Sequence, residues 1–218
     1  MRLVLLGPPG AGKGTQSARL AASMGVPHIS TGELFRGHVE RGTAVGEQVR
    51  GIMTTGGLVP TALTVAVVEE RLSESDAVEG FLLDGFPRST VQAEELDRFL
   101  ASRAQELSAA VLLDLPDDEV VRRIAGRRVC SRDPSHTFHQ DTAPPLRAGE
   151  CDHCGGALHR RADDEPATVL RRQELYRSET APLVDYYTRA GLLRRVDALG
   201  PVSQVGSRVH RALEASRR

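Results

Sequence analysis

A chain of 218 residues, 40% apolar and 26% charged, has the composition of one ordinary globular domain with room for a small insertion, which excludes disordered and fibrous classes. A formal net charge of −1 and 4% aromatic residues argue against a nucleic-acid module and against a basic membrane-surface footprint. The 28 basic residues are arginines with one exception, Lys13, and the chain contains no Asn and no Trp.

The segments Arg2–Leu6, Val26–Ile29, Phe81–Asp84, Ala110–Leu115 and Leu192–Val196 read as strands. They are nearly unbroken apolar runs, as expected of parallel strands buried on both faces. Between them, Gly14–Met24, Ala62–Ser73, Thr90–Arg103, Asp117–Gly126 and Pro201–Ser216 read as helices, so the alternation predicts an α/β fold with a doubly wound five-stranded parallel sheet. Asp117, Asp118 and Glu119 complement the dipole at a helix start. Pro166 opens a long helix to about Ala190, which Pro182 should kink or divide. Residues 30–59 hold two helical stretches and no strand, and residues 127–164 are rich in Pro, Gly, His and Cys. The expected division is a core of 1–29, 60–126 and 165–218, a helical insertion of 30–59 and a small lid of 127–164. The amino-terminal apolar run is too short for a signal peptide, no stretch reaches membrane-span length, and three cysteines suit no disulfide framework. A cytoplasmic protein is expected.

Gly7-Pro8-Pro9-Gly10-Ala11-Gly12-Lys13-Gly14-Thr15 follows the first strand and opens the first helix. Glycines let backbone N–H groups turn inward around phosphate oxygens, the helix N-terminus adds a favourable dipole, and Lys13 supplies a point charge. Gly14 displaces the hydroxyl residue by one place from the usual G-x-x-x-x-G-K-[ST] pattern. With no Asn and no second Lys, the guanine-reading Asn-Lys-x-Asp of a GTPase is excluded.

The Gly-Lys-Gly-Thr variant, Ser30-Thr31-Gly32-Glu33 and Gly80-Phe81-Leu82-Leu83-Asp84-Gly85-Phe86-Pro87-Arg88 together resemble the adenylate kinase family, in its long bacterial form with a zinc-bearing lid. Gly126-Arg127-Arg128 and Thr180-Ala181-Pro182-Leu183 extend the resemblance over most of the chain. It implies transfer of the γ-phosphoryl group of Mg-ATP to AMP, giving two ADP. Such a transfer needs charge neutralisation, alignment and exclusion of water rather than a general base. By the same resemblance Gly10, Ala11, Gly12, Lys13, Gly14 and Thr15 cradle the ATP phosphates. Arg123 and Arg127, four apart on one helical face, clamp them. Arg127, Thr137 and Phe138 cover ATP from the lid, and Gly200 touches its base through the backbone. Thr31 and Arg36 begin the AMP site, and backbone at Gly57, Leu58 and Val59 lines its adenine pocket. Gly85, Phe86, Pro87 and Arg88 wrap AMP, and Gln92 reads the adenine edge. Arg161 and Arg172 span donor and acceptor phosphates, while Asp84 holds Mg²⁺. Each single arginine could also be a solvated surface charge, and Gln92 an exposed helix residue. The resemblance implies a monomer whose partners are ATP, AMP and ADP, with no nucleic acid and no membrane. A kinase for UMP, CMP or GMP is the nearest alternative.

Cys151-Asp152-His153-Cys154-Gly155-Gly156 is a C-x-x-C-G knuckle that points two thiolates at one ion, and Cys130 adds a third. His136 and Asp133 both have ligand spacing for the fourth position, and neutral imidazole suits a Cys-rich Zn²⁺ site better. The zinc is expected to be structural, replacing a core that so small a lid cannot build.

Overall fold

The computed structural model describes residues 1–133, 136–161 and 164–215. In chain order the elements are β1 (Arg2–Leu6), α1 (Lys13–Met24), β2 (His28–Ser30), α2 (Thr31–Glu40), α3 (Ala44–Thr54), α4 (Thr61–Leu72), β3 (Phe81–Asp84) and α5 (Thr90–Ala101). They continue with β4 (Ala109–Asp114), α6 (Asp117–Gly126), β5 (Arg127–Cys130), β6 (Thr137–His139), β7 (Leu158–His159) and α7 (Pro166–Leu175). The chain closes with α8 (Leu183–Arg189), β8 (Leu193–Asp197) and α9 (Val202–Glu214).

Five parallel strands form the main sheet in the order β2-β3-β1-β4-β8. Leu3 and Leu5 face a core shared with α1, α6 and α9, whereas Val4 and Leu6 face a second core with α4, α5 and α8. Burial on both faces explains why the strands read as continuous apolar runs. The chain winds outward from β1 to β2, returns to β3, then crosses β1 to reach β4, so the loop after β1 lies where the winding reverses. Ser30 and Leu5 are both in register with Asp84. The loops that leave β1, β2 and β3 therefore emerge together at the carboxyl edge, where open α/β sheets bind ligands.

The structure departs from the sequence expectation in several places. Arg127, expected four on from Arg123 on one helical face, is extended and opens β5 beyond the end of α6, and β2 runs His28–Ser30 rather than Val26–Ile29. The lid contains an antiparallel sheet, β6-β5-β7, whose strands of two to four residues are too short to show an alternation. The long helix is divided earlier than Pro182: Tyr176–Thr180 forms a π-helical turn before α8 begins. Proline has no N–H and its ring crowds the carbonyl four residues back, so the preceding turn widens, and Ala181 N–H donates to the Tyr176 carbonyl at 2.8 Å. The last helix ends at Glu214; its expected end at Ser216 lies outside the described residues. Among the described residues no helix is long and apolar enough to cross a membrane.

Candidate active site

The loop between β1 and α1 turns on glycines in the left-handed region. At Gly10 (φ +82°) an added Cβ would lie 2.8 Å from Ile124 Cγ1, so this position admits only glycine without displacing α6. Lys13 arches back across the loop, its Nζ donating to the carbonyls of Gly7 (2.7 Å) and Pro8 (2.9 Å). Burial pushes its ammonium down to about 8, against the opposing pull of the Asp84 carboxylate. Burial also drives Asp84 upward, but the His28 imidazole, 3.7 Å away, and the Lys13 charge hold it below the usual carboxylate range. Asp84 is thus an ionised, half-buried oxygen donor at the end of β3, with Oδ2 3.6 Å from where a Cβ on Gly14 would stand.

The adjacent part of the site is organised around one carbonyl. Gly85 O accepts from Thr31 Oγ1 (2.9 Å) and from Arg88 Nε (2.8 Å), which ties the start of α2 to the loop after β3. Arg88 N–H donates to Gln92 Oε1 at 2.8 Å, and Thr180 Oγ1 donates to Arg88 O at 2.9 Å. Gln92 is 3% exposed, so it is not a solvated helix residue. Its neighbour Phe86 points its side chain into the core beneath the sheet.

On the other side, Glu119 of α6 accepts from Arg123 Nε (2.9 Å) and, bidentately, from Arg122 (2.7 Å each). Arg123 Nη2 also donates to the Ala198 carbonyl at 2.9 Å. Arg127 grips the fully buried carboxylate of Asp164 through both Nε and Nη2. At the junction of α6 and β5, the His139 ring fills the space a Cβ on Gly126 would need. Asp141 and Thr142 both donate backbone N–H to its Nδ1, which leaves the ring proton on Nε2 facing the Arg122 carbonyl.

These groups share one cleft of about 740 Å³. Gly10, Ala11, Gly12, Lys13, Gly14, Thr15, Thr31, Arg36, Gly57, Leu58, Val59, Asp84, Gly85, Pro87, Arg88, Gln92, Arg123, Arg127, Thr137, Phe138, Arg161, Arg172 and Gly200 all line it; Phe86 does not. The sequence reading missed Glu119, His28 and Asp164. Only Glu119 carried a signal, its spacing of four from Arg123 on one helix; the other two are brought in by strand register and lid packing.

Away from the cleft, ligand atoms of Cys130, His136, Cys151 and Cys154 all lie within 4.8 Å of one another. The knuckle closes by Gly155 N–H to Cys151 O and Cys151 N–H to Gly156 O, both 2.8 Å. An added Cβ at Gly156 would stand 2.6 Å from Cys130 Sγ. His136 turns Nδ1 toward Cys151 Sγ (3.5 Å) and Nε2 toward the Asp133 carboxylate (3.5 Å). His136 therefore belongs to the cluster and Asp133 stands behind it.

The profile of the family described as "Adenylate kinase" matches residues 5–192. The chain belongs to the adenylate kinase family. An adenylate kinase from Streptomyces avermitilis is 51% identical over 214 residues, covering 98% of this chain and 97% of its own length. One from Streptomyces coelicolor is 50% identical over 218 residues, covering 100% and 99%, and one from Moorella thermoacetica is 47% identical over 213 residues, covering 98% of each. Membership in the adenylate kinase family implies metals, and the side chains present fit them. Three thiols and an imidazole gathered at one point are the donor set of a metal site, and Asp84 is the hard, ionised oxygen that Mg²⁺ prefers.

Proposed function

We propose that this chain transfers the γ-phosphoryl group of ATP to AMP, reversibly, by direct in-line displacement. Adenylate kinase activity is the function of the family to which it belongs. The observation that carries the mechanism is the continuity of the cleft: the phosphate loop and Lys13 share it with Asp84, Arg88 and Gln92. An AMP phosphate oxygen attacks the γ-phosphorus, a new O–P bond forms, and the bridging P–O bond breaks with its electron pair going to the β-phosphate. AMP's oxygen is already ionised near neutral pH, so no proton moves and no base is required.

In this reading the loop N–H groups and Lys13 hold the β and γ phosphates, and Arg123 and Arg127 share the charge that spreads over the transferring group. Arg36 and Arg88 hold the AMP phosphate, with Arg161 and Arg172 between donor and acceptor. Gln92 spends its oxygen on Arg88, so an adenine edge meets its Nε2 donor. Asp84 would hold Mg²⁺, which when bound would supply charge neutralisation at the ATP phosphates. Cys130, His136, Cys151 and Cys154 would hold Zn²⁺ in a four-donor structural site, which would stiffen the lid. Segments 30–59 and 127–164 act as covers on a core of 1–29, 60–126 and 165–218, excluding water that would hydrolyse ATP. The reading includes a monomer, and nucleotide substrates beside a metal-committed C-x-x-C suit the cytoplasm. The test is ADP formation from ATP with AMP, UMP, CMP or GMP. AMP is expected to be the strong acceptor; preference for another monophosphate would overturn the reading.

A further inference from the structure

Arg123 is held before any substrate contact is made. Its guanidinium has three nitrogens, and two have fixed partners: Nε on the Glu119 carboxylate and Nη2 on the Ala198 carbonyl, each at 2.9 Å. The third, Nη1, lies 4.0 Å from where a Cβ on Gly12 would stand, directly at the phosphate loop. Glu119 is itself pinned, because Arg122 grips both of its oxygens at 2.7 Å. The side chains of Glu119 and Arg123 are 15% and 20% exposed, well below an ordinary surface pair.

We infer that Glu119 is a positioning residue for the phosphoryl-donor site, fixing the Arg123 guanidinium so that Nη1 is presented to the phosphates above Gly12. The inference rests on the adenylate kinase reading given above. A long side chain that must be ordered at each binding event loses rotamer freedom then; one ordered in advance does not. Arg122 has a second part in this arrangement, since its bidentate grip stops the carboxylate from following Arg123 toward the cleft. The Ala198 contact extends the device, because Ala198 and Leu199 lead directly to Gly200, where the ATP base is expected. Phosphate and base recognition thereby meet at one guanidinium. The hydrogen bonds from Arg122, with Arg123 beside it, hold the Glu119 carboxyl down to about 2, so the anchor stays charged throughout the working pH range.

A pair that only stabilised α6 would behave differently, and a double-mutant cycle separates the two roles. Wild type, Glu119→Gln, Arg123→Ala and the double variant are compared by steady-state ADP formation, by KM for each nucleotide and by thermal melting. Glu119→Gln should raise the KM for ATP about tenfold, as loss of one charge-assisted anchor predicts, with the KM for AMP within about twofold of wild type. The double variant should be no worse than Arg123→Ala alone. An unchanged ATP KM in Glu119→Gln, or full additivity in the double variant, overturns the inference. Failure of the wild type to form ADP would instead overturn the proposed function.

Discussion

Replacing Gly85 with alanine should damage the acceptor side of the cleft selectively. Gly85 has φ +81°, and an L-residue in that region costs about 1–2 kcal/mol. The new Cβ would lie 2.8 Å from Thr31 Oγ1 and 3.2 Å from Arg88 Nη2, so both side chains that meet at this turn must give way. Losing the Thr31 hydrogen bond to the Gly85 carbonyl adds about 1 kcal/mol. A total of about 2–3 kcal/mol corresponds to a Tm lowered by about 4–12 °C in a protein of this size. Circular-dichroism melts measure that part. The functional part is read from initial rates of ADP formation, with AMP varied at saturating ATP and then the reverse. The KM for AMP should rise about tenfold or more while the KM for ATP stays near wild type. Thr31→Val removes the hydrogen bond without forcing the backbone, so it should show the same selectivity at about 1 kcal/mol. Equal rises in both KM values would refute the reasoning, since that pattern marks general loosening rather than displaced Thr31 and Arg88.

Lys13 should give ATP binding a pH dependence. Its pKa of about 8 means that binding above that pH must take up a proton, so Kd for ATP should weaken by up to about tenfold per pH unit, whereas Lys13→Met binds weakly with a flat profile; calorimetric titration from neutral to alkaline pH measures both. The stability of the free protein moves in the opposite direction: the cost of burying this charge is fully present below about 8 and is relieved as pH rises toward the ordinary 10.5. In the lid, His136→Ala should lose most of the bound metal by elemental analysis. Asp133→Ala should retain it but release it to a chelator about 10–100-fold more readily, as removal of a carboxylate behind a ligating imidazole predicts. Equal metal loss in both variants would make Asp133 a ligand.

Much of this protein is local chemistry written along the chain. The parallel strands are legible because burial on both faces leaves continuous apolar runs, and the phosphate loop because glycines and one lysine must stand in fixed order between a strand and a helix. The lone Lys13 among arginines was a compositional oddity that local order alone could turn into a phosphate ligand. Pro182 announced a break in the long helix, but not that a π-helical turn would precede it and bring Thr180 onto the Arg88 carbonyl. Which arginines matter could not be read from their number, since a guanidinium acquires a role from what holds it: Asp164 for Arg127, Glu119 and Ala198 for Arg123. The choice between His136 and Asp133 stood open for the same reason, because both spacings reach the knuckle and only packing turns one side chain inward and leaves the other behind it. Periodicity and loop composition are properties of neighbouring residues, so the sequence alone determined the sheet, its phosphate loop and the three thiol donors of a metal site. Partners separated by tens of residues, such as Arg127 with Asp164 and Asp84 with His28, meet only through strand register and lid packing, and there the tertiary structure decided how the charged groups are held.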